Sequence, residues 1–297
     1  MEIRVLRYFL AVAREENVSR AAESLHLSQP TLSRQLMDLE AELGKRLFLR
    51  GSRKITLTED GLLLRRRASE IVELVDRTES ELRESDELLA GEVHIGGGET
   101  RGIRLVGRVA RELRESCPQV RYHLFSGNLD DLAERLEQGL LDFMLMPEPG
   151  DLKKYDCIKL PYADSWGVLM RRDNPLAQRE AVQAEDLWEQ PLILSRQRMG
   201  RDRVATWLRR DFDRLNIVAT YNLIYNASLL VAEGLGCALC LEGLIPVSDT
   251  SELCFRPVRP RLDAALYLVW KRREAFSRAA ERFLSMLREQ IEREERI

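Results

Sequence analysis

The chain has 297 residues, a length that suggests about two domains. Charged residues make up 32% and hydrophobic ones 44%, which excludes a disordered tail, a collagen-like repeat and a membrane bundle. A net charge of −3 excludes general polyanion binding, so any nucleic-acid contact has to come from a local basic patch.

The first apolar run, Tyr8 to Ala13, is too short for a secretion signal, and Asn216, Asn222 and Asn226 interrupt the charge-free stretch Leu215–Ala232. Cys117, Cys157, Cys237, Cys240 and Cys254 are too sparse for a disulfide scaffold. A soluble cytoplasmic protein with no membrane partner is expected.

Ile3, Leu6, Leu10 and Ala13 predict a helix over residues 2–15. Ser19 offers the N-cap of a short second helix with Ala21, Ala22 and Leu25. Ser28-Gln29-Pro30 starts a third, since proline costs no hydrogen bond in a first turn, and Gly44 stops it. At about 100° per residue, Leu32, Leu36, Leu39 and Leu43 fall within roughly 60° of one another. Arg34 then lies opposite them, flanked by Thr31 and Ser33. Such an outer face suits the DNA major groove, where arginine pairs bidentately with guanine. Lys45, Arg46, Arg50, Arg53 and Lys54 follow with no acid among them. Leu47 and Leu49 face Ile55 and Leu57 across Gly51-Ser52, a hairpin with a basic tip that would grip phosphates while the helix reads bases.

The run Tyr8-Phe9, Ala21-Ala22, Leu25, Ser28-Gln29-Pro30, Ser33-Arg34-Gln35, Leu39-Glu40, Leu43-Gly44, Leu47-Phe48 and Thr56-Leu57-Thr58 resembles the winged helix-turn-helix of LysR-type transcriptional regulators. DNA contacts are expected from Ser28, Gln29, Pro30, Thr31, Ser33, Arg34, Gln35, Arg50, Arg53 and Lys54.

Thr58 can cap the next helix, with Glu59 and Asp60 placed against its positive end. Leu64, Ala68, Ile71, Val75, Thr78, Leu82, Ser85 and Leu89 then recur at four-three spacing. A coiled-coil seam follows, weakened at Thr78 and Ser85, with dimerisation through Leu64, Ala68, Ile71, Val75, Leu82 and Leu89. A homodimer would set two wings on the half-sites of a partly palindromic double-stranded operator. The resemblance implies the same linker helix, homotetramers in many members, and RNA polymerase as a partner.

From Gly91 the pattern alternates strand and helix, which implies parallel sheets with helical cover. Strands are expected at Glu92–Ile95, Val120–Phe125, Leu141–Met146, Trp166–Arg171, Leu192–Ser195, Val218–Leu223, Cys237–Leu241 and Ala264–Trp270. Helices are expected near Leu105–Leu113, Leu129–Leu136, Val204–Phe212, from Asn226, and from Phe276 to about Ile291. The fold class is α/β with an all-α N-terminal part. It divides into a winged helix-turn-helix at 1–58, a linker helix at 59–90, and a two-lobed domain at 91–297. Lobe I takes 91–161 plus 265–297 and lobe II takes 162–264, with crossings near Pro161 and Pro260–Leu262. Gly139-Leu140-Leu141-Asp142 and Val231-Ala232-Glu233-Gly234-Leu235-Gly236 resemble the effector domain of the same family, related in fold to periplasmic binding proteins. Glu242, where many members have proline, departs from the family pattern.

Ligands of open parallel sheets bind beyond the carboxyl ends of the strands. The candidates there are Thr100, Ser126, Asn128, Pro147, Ser195, Arg196 and Asn226. Thr100, Ser195 and Asn226 lie near helix N-termini, and Arg198, Arg201 and Arg203 add charge to Arg196, so a small anionic effector is expected. Gly96-Gly97-Gly98 lacks the third glycine of a dinucleotide fingerprint, because Arg101 stands there. On a strand, the odd separation of Cys237 and Cys240 sends the thiols to opposite faces. His26, His94 and His123 are far apart in sequence, no catalytic or metal-ligand motif appears, and no cofactor is expected. A regulator controlled by a small molecule is therefore favoured over a solute-binding protein or an enzyme fused to a DNA-binding head.

Overall fold

The computed structural model describes residues 1–50, 54–82, 89–147, 154–196, 203–272 and 275–295, and only the backbone of residues 50 and 80–82. The chain divides into two units, Met1–Glu84 and Ser85–Ile297.

The first unit is helical with a small hairpin. Helix α1 (Ile3–Glu15) precedes α2 (Val18–Ser24) and α3 (Gln29–Leu43). Asn17, not Ser19, caps α2: its side chain accepts from the Arg20 N–H at 3.1 Å, so the helix starts two residues earlier than a serine cap would allow. Ser28 caps α3, Pro30 lies in its first turn, and Gly44 ends it in the left-handed conformation at φ 64°. Leu32, Leu36 and Leu39 are buried against Leu6, Phe9, Val12, Ala21 and Ala22. Leu43, the fourth leucine of the expected face, is exposed instead, as the last residue of the helix.

Strands β1 (Phe48–Arg50) and β2 (Ile55–Leu57) pair antiparallel, with Phe48 opposite Leu57; the tip at 51–53 lies outside the described residues. Thr58 caps α4 (Glu59–Leu82) by accepting from the Gly61 N–H at 3.0 Å, and its hydroxyl donates to the Arg46 carbonyl at 2.7 Å. A side chain at Gly61 would run into the Leu47 carbonyl, so glycine permits the wing to meet this helix.

The expected coiled-coil seam is partly consumed inside the unit. Ala68 is fully buried in its core, and Leu64 and Ile71 pack against the same core. The surface they cover includes α1, where Arg7 pairs with Asp76 at 2.5 Å. Among the described side chains of α4, the exposed apolar ones are Leu62, Leu63 and Leu74, while Val75 is half-buried. Ser85 and the Leu82 side chain lie outside the described residues. Leu89 follows the helix and packs into the core of the second unit.

The second unit is built on one path of strands, in the order β4-β3-β5-β11-β6-β9-β7-β8, with β10 beside β6. In chain order these are β3 (Gly91–Gly97), β4 (Val120–Ser126), β5 (Phe143–Pro147), β6 (Tyr155–Arg171), β7 (Leu192–Ser195), β8 (Ile217–Tyr221), β9 (Cys237–Leu241), β10 (Leu253–Pro257) and β11 (Asp263–Lys271). Strands β3, β4 and β5 are parallel, as are β7, β8 and β9. The sheet is nevertheless mixed, because β6 and β11 run antiparallel to each other and to their neighbours.

At the first crossing, near Pro161, the chain is strand β6 itself, which runs through that proline. Proline has no N–H to give a ladder, and the β6–β11 register shifts between Ala265 and Tyr267, beside it. Helices α5 (Ile103–Ser116) and α9 (Arg278–Glu295) cover one face of the first half through Leu105, Val109, Leu113, Phe283 and Leu287. Helix α6 (Leu129–Glu137) covers the other through Leu132 and Leu136. In the second half, α7 (Arg203–Leu208) and α8 (Ile224–Ala232) lie on opposite cores. Cys237 and Cys240 are buried in those two different cores, as odd spacing on a strand requires.

Candidate DNA interface and effector cleft

The capped start of α3 presents Ser28, Gln29, Pro30, Thr31 and Arg34 to solvent, with Ser33 and Gln35 half-buried. The hydroxyls of Ser28 and Thr31 are 2.7 Å apart, and Gln29 Nε2 donates to Ser33 Oγ at 2.9 Å. These bonds order the polar rim of the first turn. Among the described residues Arg34 has no side-chain hydrogen bond or ion pair. Its guanidinium is held away from Leu32, Leu36 and Leu39, with all its donors available.

The hairpin is tied to α3 through Glu40, whose Oε1 accepts from the N–H of Leu47 at 2.6 Å and of Phe48 at 3.2 Å. Its cations are not all free. Lys45 lies 3.4 Å from Asp60, and Lys54 lies 2.5 Å from Glu16. Arg46 is exposed and makes no ion pair among the described residues. Arg53 and the Arg50 side chain lie outside those residues. The pairing acids escape a local reading because Glu16 follows the end of α1 and Asp60 is on α4.

In the second unit a cavity of about 240 Å³ opens at the carboxyl ends of β3 and β4, with Gly97, Gly98, Glu99, Thr100, Ser126 and Leu244 in its lining. Only Thr100 and Ser126 of the seven expected ligand residues lie there. Asn128 caps α6, accepting from the Asp131 N–H at 2.9 Å. Pro147 ends β5 opposite Leu266, and Arg196 donates to Thr220 Oγ1 at 3.2 Å. Ser195 is half-buried at the end of β7. Helix α8 begins at Ile224, so Asn226 sits inside its first turn, exposed, and does not open it. Arg198 and Arg201 lie outside the described residues, and Arg203 donates to the Asp263 carbonyl at 2.9 Å.

Two carboxylates that sequence patterning missed organise this cleft. Thr100 Oγ1 donates to Asp164 and accepts from the Gly102 N–H at 3.0 Å. Burial holds the Asp164 carboxyl above its ordinary range, and the bond from Thr100 opposes that rise. Glu99 accepts from the Ile224 N–H, placing a resident anion at the positive end of α8. Both contacts join residues distant in sequence; only the position of Glu99 directly after three glycines hinted at a role.

Two family models match the chain. One, a bacterial regulatory helix-turn-helix of the lysR family, covers residues 3–62, and the other, the LysR substrate binding domain, covers 86–292. The Hca operon transcriptional activator HcaR of Escherichia coli (strain K12) is 30% identical over 98% of this chain and 98% of its own. A hydrogen peroxide-inducible genes activator of Pectobacterium carotovorum subsp. carotovorum is 33% identical over 65% of this chain and 64% of its own. Full-length CbnR, solved in complex with its target DNA, is similar at a TM-score of 0.76 and 22% identity, covering 97% of this chain and 99% of that one. At that identity the likeness shows the fold. Among the described residues no helix is long and apolar enough to cross a membrane.

Proposed function

This chain belongs to the LysR family of transcriptional regulators, and we propose that Arg34, at the start of its recognition helix, reads a base in the major groove. The observation that carries this reading is the exposed, unpaired guanidinium of Arg34 opposite a buried leucine face. Ser28, Gln29, Thr31 and Ser33 position the helix on phosphate and base edges, and Gln35 supports them. Arg46, Arg50, Arg53 and Lys54 supply the phosphate contacts of the wing.

The protein acts as a cytoplasmic homodimer or homotetramer on a partly palindromic operator and engages RNA polymerase there. Its second unit works as two lobes joined by β6 and β11, close to residues 91–161 plus 265–297 and 162–264. A small molecule binds between them, against Thr100 and Ser126. An anionic group is favoured because the first turn of α8 already holds the Glu99 carboxylate, which an effector carboxylate can displace. Such a ligand controls DNA binding if it prefers one arrangement of the assembly over another.

Genome-wide mapping of bound fragments, followed by affinity measurements at several salt concentrations, tests this function. Enriched sites with dyad symmetry and steep salt dependence are expected; no enrichment and no salt-sensitive binding contradict it.

A further inference from the structure

His94 and His123, 29 residues apart in sequence, become neighbours because β3 and β4 pair in parallel with these two residues in register. Their rings stack with centroids 4.6 Å apart and planes 13° from parallel. Glu92 precedes His94 by two residues and therefore shares its face of β3. The Nε2 atoms of both imidazoles lie 3.4 Å from Glu92 Oε2. One donor atom from each of the three residues lies within 4.8 Å of the others.

Those separations fit a shared cation better than a hydrogen-bonded pair. A charge-assisted N–H···O bond is about 2.7–2.9 Å long. Donors bonded at about 2.0–2.1 Å to one tetrahedral ion are roughly 3.3 Å apart. The two N···O separations already match, and rotation of the more exposed His123 can close the third.

The backbone of this spot is anchored. The His94 N–H donates to Asp142 Oδ2 at 2.7 Å, and the Asp142 N–H returns a bond to the His94 carbonyl at 2.9 Å. Val93 and Ile95 point to the opposite face, into the α5–α9 core. The side chains of His94, Glu92 and His123 are 14%, 30% and 46% exposed, so the site is shielded at one end and open to a water ligand at the other.

We propose that Glu92, His94 and His123 form a binding site for a divalent late transition-metal cation, separate from the effector cleft. Two imidazoles and one carboxylate suit zinc and its neighbours, whereas magnesium and calcium require more oxygen. Glu92 is the second residue of β3, and His94 and His123 are the middle residues of β3 and β4, whereas the cleft lies at the carboxyl ends of those strands.

The test uses the full chain, stripped of metal and dialysed against Zn²⁺, with bound metal measured directly. Saturation at one Zn²⁺ per chain is expected, with affinity lower by roughly tenfold or more in His123→Ala and in Glu92→Gln. Co²⁺ in place of Zn²⁺ should show no thiolate charge-transfer band, which separates this site from the cysteines. His123 is on an edge strand and half exposed, so its variant keeps the core; if it does not fold, Glu92→Gln decides. Unchanged affinity in the folded variants, a thiolate band, or binding only at millimolar Zn²⁺ overturns the proposal.

Discussion

Lys54 Nζ lies 2.5 Å from Glu16 Oε2, so one cation of the wing is already paired to the end of α1. The Ile55 N–H donates to the Glu16 carbonyl at 2.9 Å, which keeps the two segments together. An exposed pair of this kind contributes about 0–1 kcal/mol, and a phosphate can take the carboxylate's place. Glu16→Gln should release Lys54, tighten non-specific DNA binding and steepen its salt dependence by up to about one unit. Adding Lys54→Ala should cancel that gain. Fluorescence anisotropy across a salt series measures both, and an unchanged slope in Glu16→Gln contradicts the pairing.

Asp164 should give the second unit a measurable pH dependence. Burial raises its carboxyl pKa above the ordinary value of 3.8, with the Thr100 bond as a partial offset. The folded chain then keeps this proton at higher pH than the unfolded chain does. Stability therefore falls as pH climbs from the ordinary aspartate value through the raised one. Asp164→Asn, which retains an acceptor for Thr100, should remove that fall. Urea midpoints measured against pH should diverge between wild type and variant as pH rises; parallel curves would rule out the buried carboxylate as the source.

Cys237 and Cys240 should be poor peroxide targets, although several relatives are named for hydrogen peroxide. Burial pushes Cys237 up to about 11 and Cys240 up to about 12, so almost no thiolate exists at neutral pH. Mass spectrometry after peroxide treatment of the native protein should find both residues reduced. Rapid sulfenic acid formation at either would refute this.

Glu99 should compete with an anionic effector for the amino end of α8. Glu99→Gln removes the resident charge and should strengthen binding of small carboxylates over their neutral amides. Calorimetric titration with matched acid–amide pairs reads the effect. A variant that binds both members as the wild type does would remove the anionic reading.

Periodicity and caps made much of this molecule legible. Ser28, Pro30, Gly44 and the spacing of Leu32, Leu36 and Leu39 are local features, and local physics places α3 without help from the rest of the chain. The heptad series from Leu64 is open to two readings, because packing against its own α1 uses the same four-three spacing as packing against a partner. Only the second half of β6, from Trp166, reads as a strand in the sequence, and the register shift opposite Pro161 shows how the ladder tolerates a residue without an N–H. Asp164, Glu99 and the Lys54–Glu16 pair depend on contacts between distant segments, which no window of sequence displays. A cavity opens at the carboxyl ends of β3 and β4, the end where ligands of open sheets bind, whereas Asn128 and Arg196 bond within their own neighbourhood.

Arg34→Ala, assayed at fixed salt against operator fragments carrying every single-base change, tests the regulator reading most directly. Affinity for the preferred site should fall by about 1–3 kcal/mol and discrimination should vanish at one base position, with non-specific binding little altered. An equal loss on every fragment would assign the guanidinium to phosphate and contradict base reading by this side chain.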